Sequence, residues 1–144
     1  MEDYGAVIEA LTLTRVQYGS YHPYWYHYQP PKTIGKVSYK YYNSEGKLHR
    51  IYGPAYVNQA YHIEEWFKEG KHHRLNGPAV IHNSNYYWLK DGEYHRLGGP
   101  AIVTKNGPKQ YWINGQRYSP KEYKKEMARR ERKGLPTQPP AFNS

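Results

Sequence analysis

One phrase of twelve residues occurs three times in this chain, and that repetition constrains the fold more than any other feature. The copies occupy residues 46–57, 70–81 and 92–103. Each copy contains Gly, two variable residues, His-Arg, two further residues, and then Gly-Pro-Ala. The copies start 24 and then 22 residues apart, a period typical of repeat proteins in which each unit packs against its neighbours.

The residues around the phrase predict how each unit folds. Trp66, Trp88 and Trp112 precede the first glycines of the second, third and fourth copies, and Tyr42 takes the matching place before the first copy. The fourth copy begins at Gly115 and lacks His-Arg and Gly-Pro-Ala. Each unit is therefore predicted to contain, in order, an aromatic strand, a tight turn, the His-Arg pair, a loop and a second strand.

The residues at the turns support this prediction. Glu69-Gly70, Asp91-Gly92 and Asn114-Gly115 suit two-residue hairpin turns, whose geometry requires positive φ. The proline of Gly-Pro-Ala has no amide hydrogen, so it suits the first residue of a strand. We predict a mainly β fold, an elongated antiparallel β-meander of about three and a half hairpin repeats, followed by a C-terminal α-helix.

The sequence divides into four regions. A capping box, Ser119-Pro120-Lys121-Glu122, predicts a helix over 120–133 that ends at Gly134. The regions are an aromatic-rich N-terminal cap (1–41), the repeat array (42–118), a basic C-terminal helix (119–134) and a proline-rich tail (135–144). Residues 2–16 suit a short helix or a strand equally, and residues 24–29 have strand spacing between prolines.

Composition narrows the function classes. The chain has no cysteine, which excludes disulfides and thiolate zinc sites. Its net charge is +9, and residues 119–144 hold 7 basic and 3 acidic residues, which is +4 of that total. A basic segment of this kind suits nucleic acid, an acidic protein, or simple solvation. No nucleotide-binding loop, dinucleotide fingerprint, hydrolase elbow or zinc-protease motif occurs, and no apolar run is long enough to span a membrane.

The repeated phrase resembles a MORN-like variant repeat with the pattern Trp-Tyr-x-Asn-Gly-x-x-His-Arg-x-x-Gly-Pro-Ala. The resemblance covers about residues 42–118, and its clearest copy is carried by Trp66, Gly70, His73, Arg74 and the Gly-Pro-Ala at 77–79. It implies a repeat β-sheet, a bacteriophage, large-virus or bacterial source, and contacts with proteins or membrane surfaces. It implies no catalytic constellation.

Two rows of side chains recur in register. His49, His73 and His95 suggest either metal binding or hydrogen bonds to loop backbone. Copies separated by two strands lie about 10 Å apart, which is too far for a shared zinc ion, so we expect the structural role. The arginines of the phrase either bind acidic groups or tie one repeat to the next. They are Arg50, Arg74 and Arg96.

We expect a non-enzymatic protein-protein interaction module, of phage or viral type and located in the host cytoplasm or the virion. It would bind a host factor, a virion component or a second copy. The expected protein-binding residues are Tyr24, Trp25, Tyr26, Arg50, Arg74 and Arg96. The alternative is a nucleic-acid-associated protein that uses Lys124, Lys125, Arg129, Arg130, Arg132 and Lys133. No metal, cofactor or small-molecule substrate is expected.

Overall fold

The computed structural model describes residues 6–10 and 38–142, and within them the chain forms thirteen β-strands and one helix. Every strand pairing is antiparallel. The predicted antiparallel meander with a C-terminal helix is therefore confirmed. The elements are β1 (Ala6–Ala10), β2 (Ser38–Tyr42), β3 (Tyr56–Asn58), β4 (Ile63–Glu65), β5 (Phe67–Lys68), β6 (Lys71–His72), β7 (Val80–His82), β8 (Asn85–Tyr87), β9 (Leu89–Lys90), β10 (Glu93–Tyr94), β11 (Ile102–Val103), β12 (Tyr111–Ile113), β13 (Gln116–Tyr118) and α1 (Pro120–Arg132).

Seven strands form one sheet in the order β1-β2-β3-β4-β7-β8-β11. The other six form the separate hairpins β5-β6, β9-β10 and β12-β13. Only Trp66 separates β4 from β5, and only Trp88 separates β8 from β9. An extended segment therefore pairs within the large sheet up to the tryptophan and within its own hairpin beyond it.

The three predicted hairpin turns have the expected backbone. Glu69 and Gly70 have φ of 50° and 79°, and Asp91 and Gly92 have φ of 50° and 84°. Asn114 and Gly115 repeat the pattern at 46° and 74°. Two successive residues at positive φ match the right-handed twist of the flanking strands, which explains why these three turns have glycine as their second residue.

The large sheet has two faces that differ in character. The cross-strand row Tyr39, Val57, Glu64, Ile81, Tyr86 and Val103 lies on one face. Trp66 lies two residues beyond Glu64, so it projects from this same face. The opposite face carries the row Lys40, Tyr56, Glu65, Val80, Tyr87 and Ile102.

The core is thin and depends on small residues. The alanines of the three Gly-Pro-Ala sequences, Ala55, Ala79 and Ala101, are completely buried. Tyr41, Ala55 and Phe67 form a buried cluster, with Tyr39, Leu48 and Tyr56 packed against it. Aromatic rings cover much of the area that aliphatic side chains would bury in a larger core.

The C-terminal helix begins and ends as its sequence predicts. The Ser119 side chain accepts the Glu122 amide hydrogen, and the Glu122 carboxylate accepts that of Ser119. These two hydrogen bonds satisfy amide groups that the first helical turn leaves unpaired. At the other end Gly134 has φ of 65°, and the Leu135 amide bonds to the Arg130 carbonyl. Tyr123 is the buried residue of the helix.

The matching of aromatic residues between copies differs from the prediction in the first and last copies. The Trp66 amide donates to the Ala79 carbonyl, and the Tyr41 amide makes the same bond to Ala55. Tyr41, not Tyr42, is therefore the first-copy counterpart of Trp66. The first turn contains an additional residue, and the Asn43 side chain accepts two amide hydrogens of that turn. Because of this additional residue, the prediction of Tyr42 from its distance to Gly46 is wrong by one residue.

In the last copy, the Ala101 amide donates to the Gln110 carbonyl. The equivalent bond one copy earlier joins the Ala79 amide to the carbonyl of Tyr87, the residue before Trp88. Tyr111, the residue after Gln110, therefore occupies the tryptophan position instead of Trp112. The predicted aromatic site at Tyr24, Trp25 and Tyr26 lies outside the described residues.

Candidate interaction surfaces

The repeated arginines stack on the aromatic residues that precede them. The guanidinium carbon of Arg50 lies 4.1 Å from the ring centre of Tyr41. Arg74 lies 3.9 Å from Trp66, and Arg96 lies 3.8 Å from Trp88. A cation over an aromatic face is attracted by the ring quadrupole, and the contact strengthens when water is excluded. All three arginines are half-buried, and burial lowers the pKa of Arg74 and Arg96.

The second half of the phrase completes each arginine site. The guanidinium of Arg74 donates to the Pro78 carbonyl at 3.2 Å, and the other two copies repeat this bond to Pro54 and Pro100. A Cβ on Gly77 would lie 2.6 Å from the Arg74 guanidinium carbon. A side chain at this position would displace the guanidinium, which lies between an aromatic ring and the backbone of the loop.

The repeated histidines join successive copies. The Nδ1 atom of His49 accepts the amide hydrogen of Glu69 at 2.9 Å. His73 and His95 accept the amide hydrogens of Asp91 and Asn114 at 3.1 Å. Each bond runs from a histidine to the hairpin turn of the next copy, which is the structural role that we expected. The described residues contain no group of three His, Cys, Asp or Glu side chains placed to hold a metal ion.

The structure gives the predicted arginine row a defined intramolecular role. Their guanidiniums cover rings and bond to proline carbonyls, so they are less available than the sequence suggested. Their role in binding a protein stays a prediction. Arg74 also experiences the charge of Glu64, which lies on the same sheet face. We call this face, with its half-buried arginines and rings, the arginine face.

Apolar side chains remain accessible on the arginine face. Ile81 and Val103 are half-exposed, and Tyr86 between them is 37% exposed. Tyr86 lies opposite both residues, and its ring centre lies 6.4 Å from that of Trp88. These side chains form a continuous apolar strip that ends beside an arginine-stacked indole.

Two of the predicted helix cations, Arg129 and Arg130, form ion pairs with Glu126. Arg129 binds the Glu126 carboxylate through two nitrogens at 2.7 and 2.6 Å, and Arg130 binds it at 3.0 Å. Hydrogen bonds from Arg129, followed by those from Arg130, lower the pKa of Glu126 to about 2. Glu126 offsets one of the two arginine charges, so the three side chains stabilise the helix surface and together keep a single net positive charge.

Three of the other predicted helix cations lie together with Lys121 on one exposed face of the helix. At 3.6 residues per turn, the side chains of this face fall within an arc of about 100°. The face contains no carboxylate between its members, and Lys133 lies just beyond it at the end of the helix. The members are Lys121, Lys124, Lys125 and Arg132. We call this surface the cationic helix face.

Two features of the structure were not predicted from the sequence. A polar cleft of about 380 Å³ lies between the β7–β8 turn and the β11–β12 loop, and it is lined by residues 83–85 and 104–107. The proline-rich tail also folds back onto the array, where Asn76 donates to the Ala141 carbonyl. The succession of asparagines in two neighbouring turns hinted at the cleft. No local pattern indicated the tail contact.

Comparisons with protein-family models, with curated proteins and with solved structures give no match to this chain. In the part of the chain that the structure describes, no helix is both long enough and apolar enough to cross a membrane.

Proposed function

We propose that the protein is a non-enzymatic module that binds another protein through its arginine face. The observation that carries this proposal is the accessible strip of Ile81, Tyr86 and Val103 beside the stacked indole of Trp88. Tyrosine, tryptophan and arginine are enriched at the centres of protein interfaces. The MORN-like resemblance of the repeats supports the same class of function, with a host factor, a virion component or a second copy as partner.

The stacked arginines support this proposal through rigidity. A guanidinium held by a ring and a carbonyl loses little further side-chain entropy when a partner approaches. Its half-buried edge then presents fixed positive charge beside the apolar strip. An apolar centre with a basic border fits a protein surface that has an apolar centre and an acidic border.

A photo-crosslinking amino acid at position 86 tests this proposal. The matched control carries the same group at Tyr61, which is 66% exposed in the β3–β4 turn. We expect nuclease-resistant protein adducts from position 86, few from position 61, and loss of the former in an Ile81→Asp background. Equal adducts from both positions, or adducts that disappear with nuclease, would contradict the proposal.

The cationic helix face favours a second candidate, association with nucleic acid. Its exposed lysines and arginine lie on one side of a helix, so that they can follow a phosphate backbone. Neutralising phosphates releases counterions, and affinity then falls with salt at a log–log slope of about −0.9 per phosphate contact on duplex DNA.

A salt titration on random-sequence duplex DNA tests the second candidate. The double variant Lys124→Gln/Lys125→Gln should reduce the magnitude of the log–log slope by about 2 if both lysines contact phosphate. The control Lys68→Gln/Lys105→Gln removes the same charge from exposed positions of the array and should leave the slope nearly unchanged. Binding without salt dependence, or no binding at low salt, would exclude this candidate.

A further inference from the structure

The polar cleft between two neighbouring turns of the array is used by neither proposed function. It measures about 380 Å³ and is lined by residues 83–85 at the β7–β8 turn and by residues 104–107 of the β11–β12 loop. Asn85 and Thr104 are half-buried, whereas the other lining residues are exposed. These two side chains therefore form the deeper part of the cleft.

The cleft lies where the repeat departs from its own pattern. The turns that follow the first and second copies are joined by the Asn83 amide, which donates to the His62 carbonyl at 2.9 Å. The strand register makes Lys105 the counterpart of Asn83, so the same bond one copy later would end on the Ser84 carbonyl. The Lys105 amide instead donates to the side-chain oxygen of Asn85 at 3.0 Å. The second and third turns are thus joined through a side chain, and the cleft lies between them.

The β11–β12 loop forms one wall of the cleft. The chain on its two sides pairs through a single bridge between Ile102 and Gln110, and residues 104–109 form no strand. A Cβ on Gly107 would collide with the Thr104 hydroxyl, so the loop folds closely back on its own start. This wall brings a hydroxyl, an ammonium and a carboxamide to the same cleft.

The bond between the two walls also orients the Asn85 carboxamide. Only the oxygen of a carboxamide can accept an amide hydrogen, so the NH2 group of Asn85 lies on the side away from the Lys105 amide. Within residues 6–10 and 38–142, this NH2 group has no hydrogen-bond acceptor and the Lys105 ammonium has no ion pair. Two donors at the cleft therefore have no acceptor in the described part of the chain.

The lining has the charge and the donors that suit an anion. It contains three carboxamides, two hydroxyls and one ammonium, and no carboxylate. An ammonium and neighbouring neutral donors bind an oxyanion through charge-assisted hydrogen bonds, which are shorter and stronger than bonds between neutral groups. The volume of the cleft lies within the range of small-molecule sites, about 300–1,000 Å³.

We propose that the polar cleft is a binding site for a small molecule that carries an oxyanion group, a phosphate or a carboxylate. The Lys105 ammonium and the Asn85 NH2 group donate to this oxyanion, and the hydroxyls of Ser84 and Thr104 supply further donors. The site belongs to the gap between the second and third turns, because the bond from Asn83 joins the backbones of the first and second. The proposal depends on neither the arginine face nor the cationic helix face.

Amide chemical shifts of the full-length protein test the site. Inorganic phosphate and acetate are titrated separately at constant ionic strength. We expect saturable shifts of the Lys105 and Asn106 amide signals and of the Asn85 side-chain NH2 signals with at least one anion. Saturation by only one of them identifies the oxyanion as a phosphate or a carboxylate. Shifts that grow linearly with both anions, or that appear equally at other turns with lysines, would overturn the proposal.

An isosteric variant separates the site from general charge effects. Asn85→Asp keeps the oxygen that accepts the Lys105 amide hydrogen and replaces the NH2 donor with a negative oxygen, so the affinity should fall at least tenfold. Gln59→Glu places the same charge in the β3–β4 turn and should change the affinity less than twofold. An unchanged Lys105 amide signal in the anion-free Asn85→Asp protein shows that the turn is intact. Equal losses in both variants would overturn the proposal.

A second pair of variants tests the cation. Lys105→Gln removes the ammonium that lines the cleft and should weaken binding several-fold. Lys109→Gln removes the same charge from an exposed position of the same loop that does not line the cleft, and it should weaken binding less than twofold. Equal weakening by the two variants would show that only the diffuse charge of the loop attracts the anion, and it would overturn the proposal.

Discussion

The equivalent aromatic rings of the third and fourth copies are covered by different side chains. In the third copy, Arg96 covers Trp88 and bonds to Pro100 within the same repeat. The fourth copy has no such arginine, and its equivalent ring, Tyr111, is met instead by Tyr123 of α1 at 4.7 Å between ring centres. The ring is covered in both cases, by the repeat itself in one and by the helix in the other.

The hydrogen bonds of Tyr123 show how the helix closes the array. Its hydroxyl donates to the Arg96 carbonyl at 2.9 Å and accepts the Gly99 amide hydrogen at 3.1 Å. These are backbone groups of the third copy, so one side chain connects the helix to both of the last two copies. The array therefore ends where a helix residue replaces the arginine and forms hydrogen bonds with the backbone of the preceding copy.

The largest effect should come from removing this closing side chain. Tyr123→Ala removes a buried ring, uncovers Tyr111 and leaves two backbone groups without their partner. We expect a loss of about 3–4 kcal/mol in the free energy of unfolding, measured by urea denaturation. Tyr123→Phe keeps the ring and should cost about 1–2 kcal/mol. Equal losses in the two variants would show that the hydroxyl, and not the ring, closes the array.

Filling the space next to a stacked arginine with a methyl group should have the next largest effect on stability. Gly77→Ala places a methyl group against the Arg74 guanidinium and should displace it from Trp66, at a cost of about 2 kcal/mol in unfolding free energy. A Cβ on Gly99 would lie 3.0 Å from the Arg96 guanidinium carbon, compared with 2.6 Å for Gly77 and Arg74. Gly99→Ala should therefore cost less, and the reverse order would contradict the packing argument.

Replacing the planar cation should have a moderate effect. Arg74→Lys keeps the charge but loses the flat contact with Trp66 and changes the bond to Pro78, and we expect about 1 kcal/mol of destabilisation. The near-ultraviolet circular dichroism of the indole should change with it. Arg117→Lys, at an exposed position on β13, is the control and should change neither quantity measurably.

The smallest effect is a dependence of stability on pH. Burial, followed by the charges of Lys90 and Arg130, lowers the pKa of His95. The unfolded chain therefore takes up this proton at a higher pH than the folded chain does, and the free energy of unfolding falls as pH drops below about 6.5. In His95→Asn this contribution to the slope should be absent, because asparagine has an acceptor oxygen in a similar place and does not titrate. An unchanged slope would exclude His95 as its source.

Local chemistry made much of this fold predictable. The turn at Asp91-Gly92 and the cap at Ser119 depend on a few adjacent residues, and both form as expected. The arginine sites were only partly predictable. The repetition of His-Arg and Gly-Pro-Ala signalled a shared role, but strand alternation does not determine where a loop arginine points, so its ring partner could not be read from the sequence.

Other features depend on the assembled sheet. In β11, Ile102 is more buried than its neighbour Val103, at 7% exposure, whereas in β3 the buried residue is Val57, which lies on the same face as Val103. A single sheet without a thick core has no fixed inside, so alternation tells only which residues share a face. The contact between Asn76 and Ala141 joins residues far apart in the chain, so no local pattern predicts it.

Successive copies bond to each other in the same way, with the Arg74 amide donating to the Leu89 carbonyl and the Gly92 amide to that of His72. A duplicated stretch of 22 residues would therefore find the same partners as its parent, and its loss would rejoin two compatible ends. Unequal recombination within such a gene can lengthen or shorten the protein by whole copies without redesigning any contact. The helix and tail would move with the last copy, and the closure by Tyr123 would be inherited unchanged.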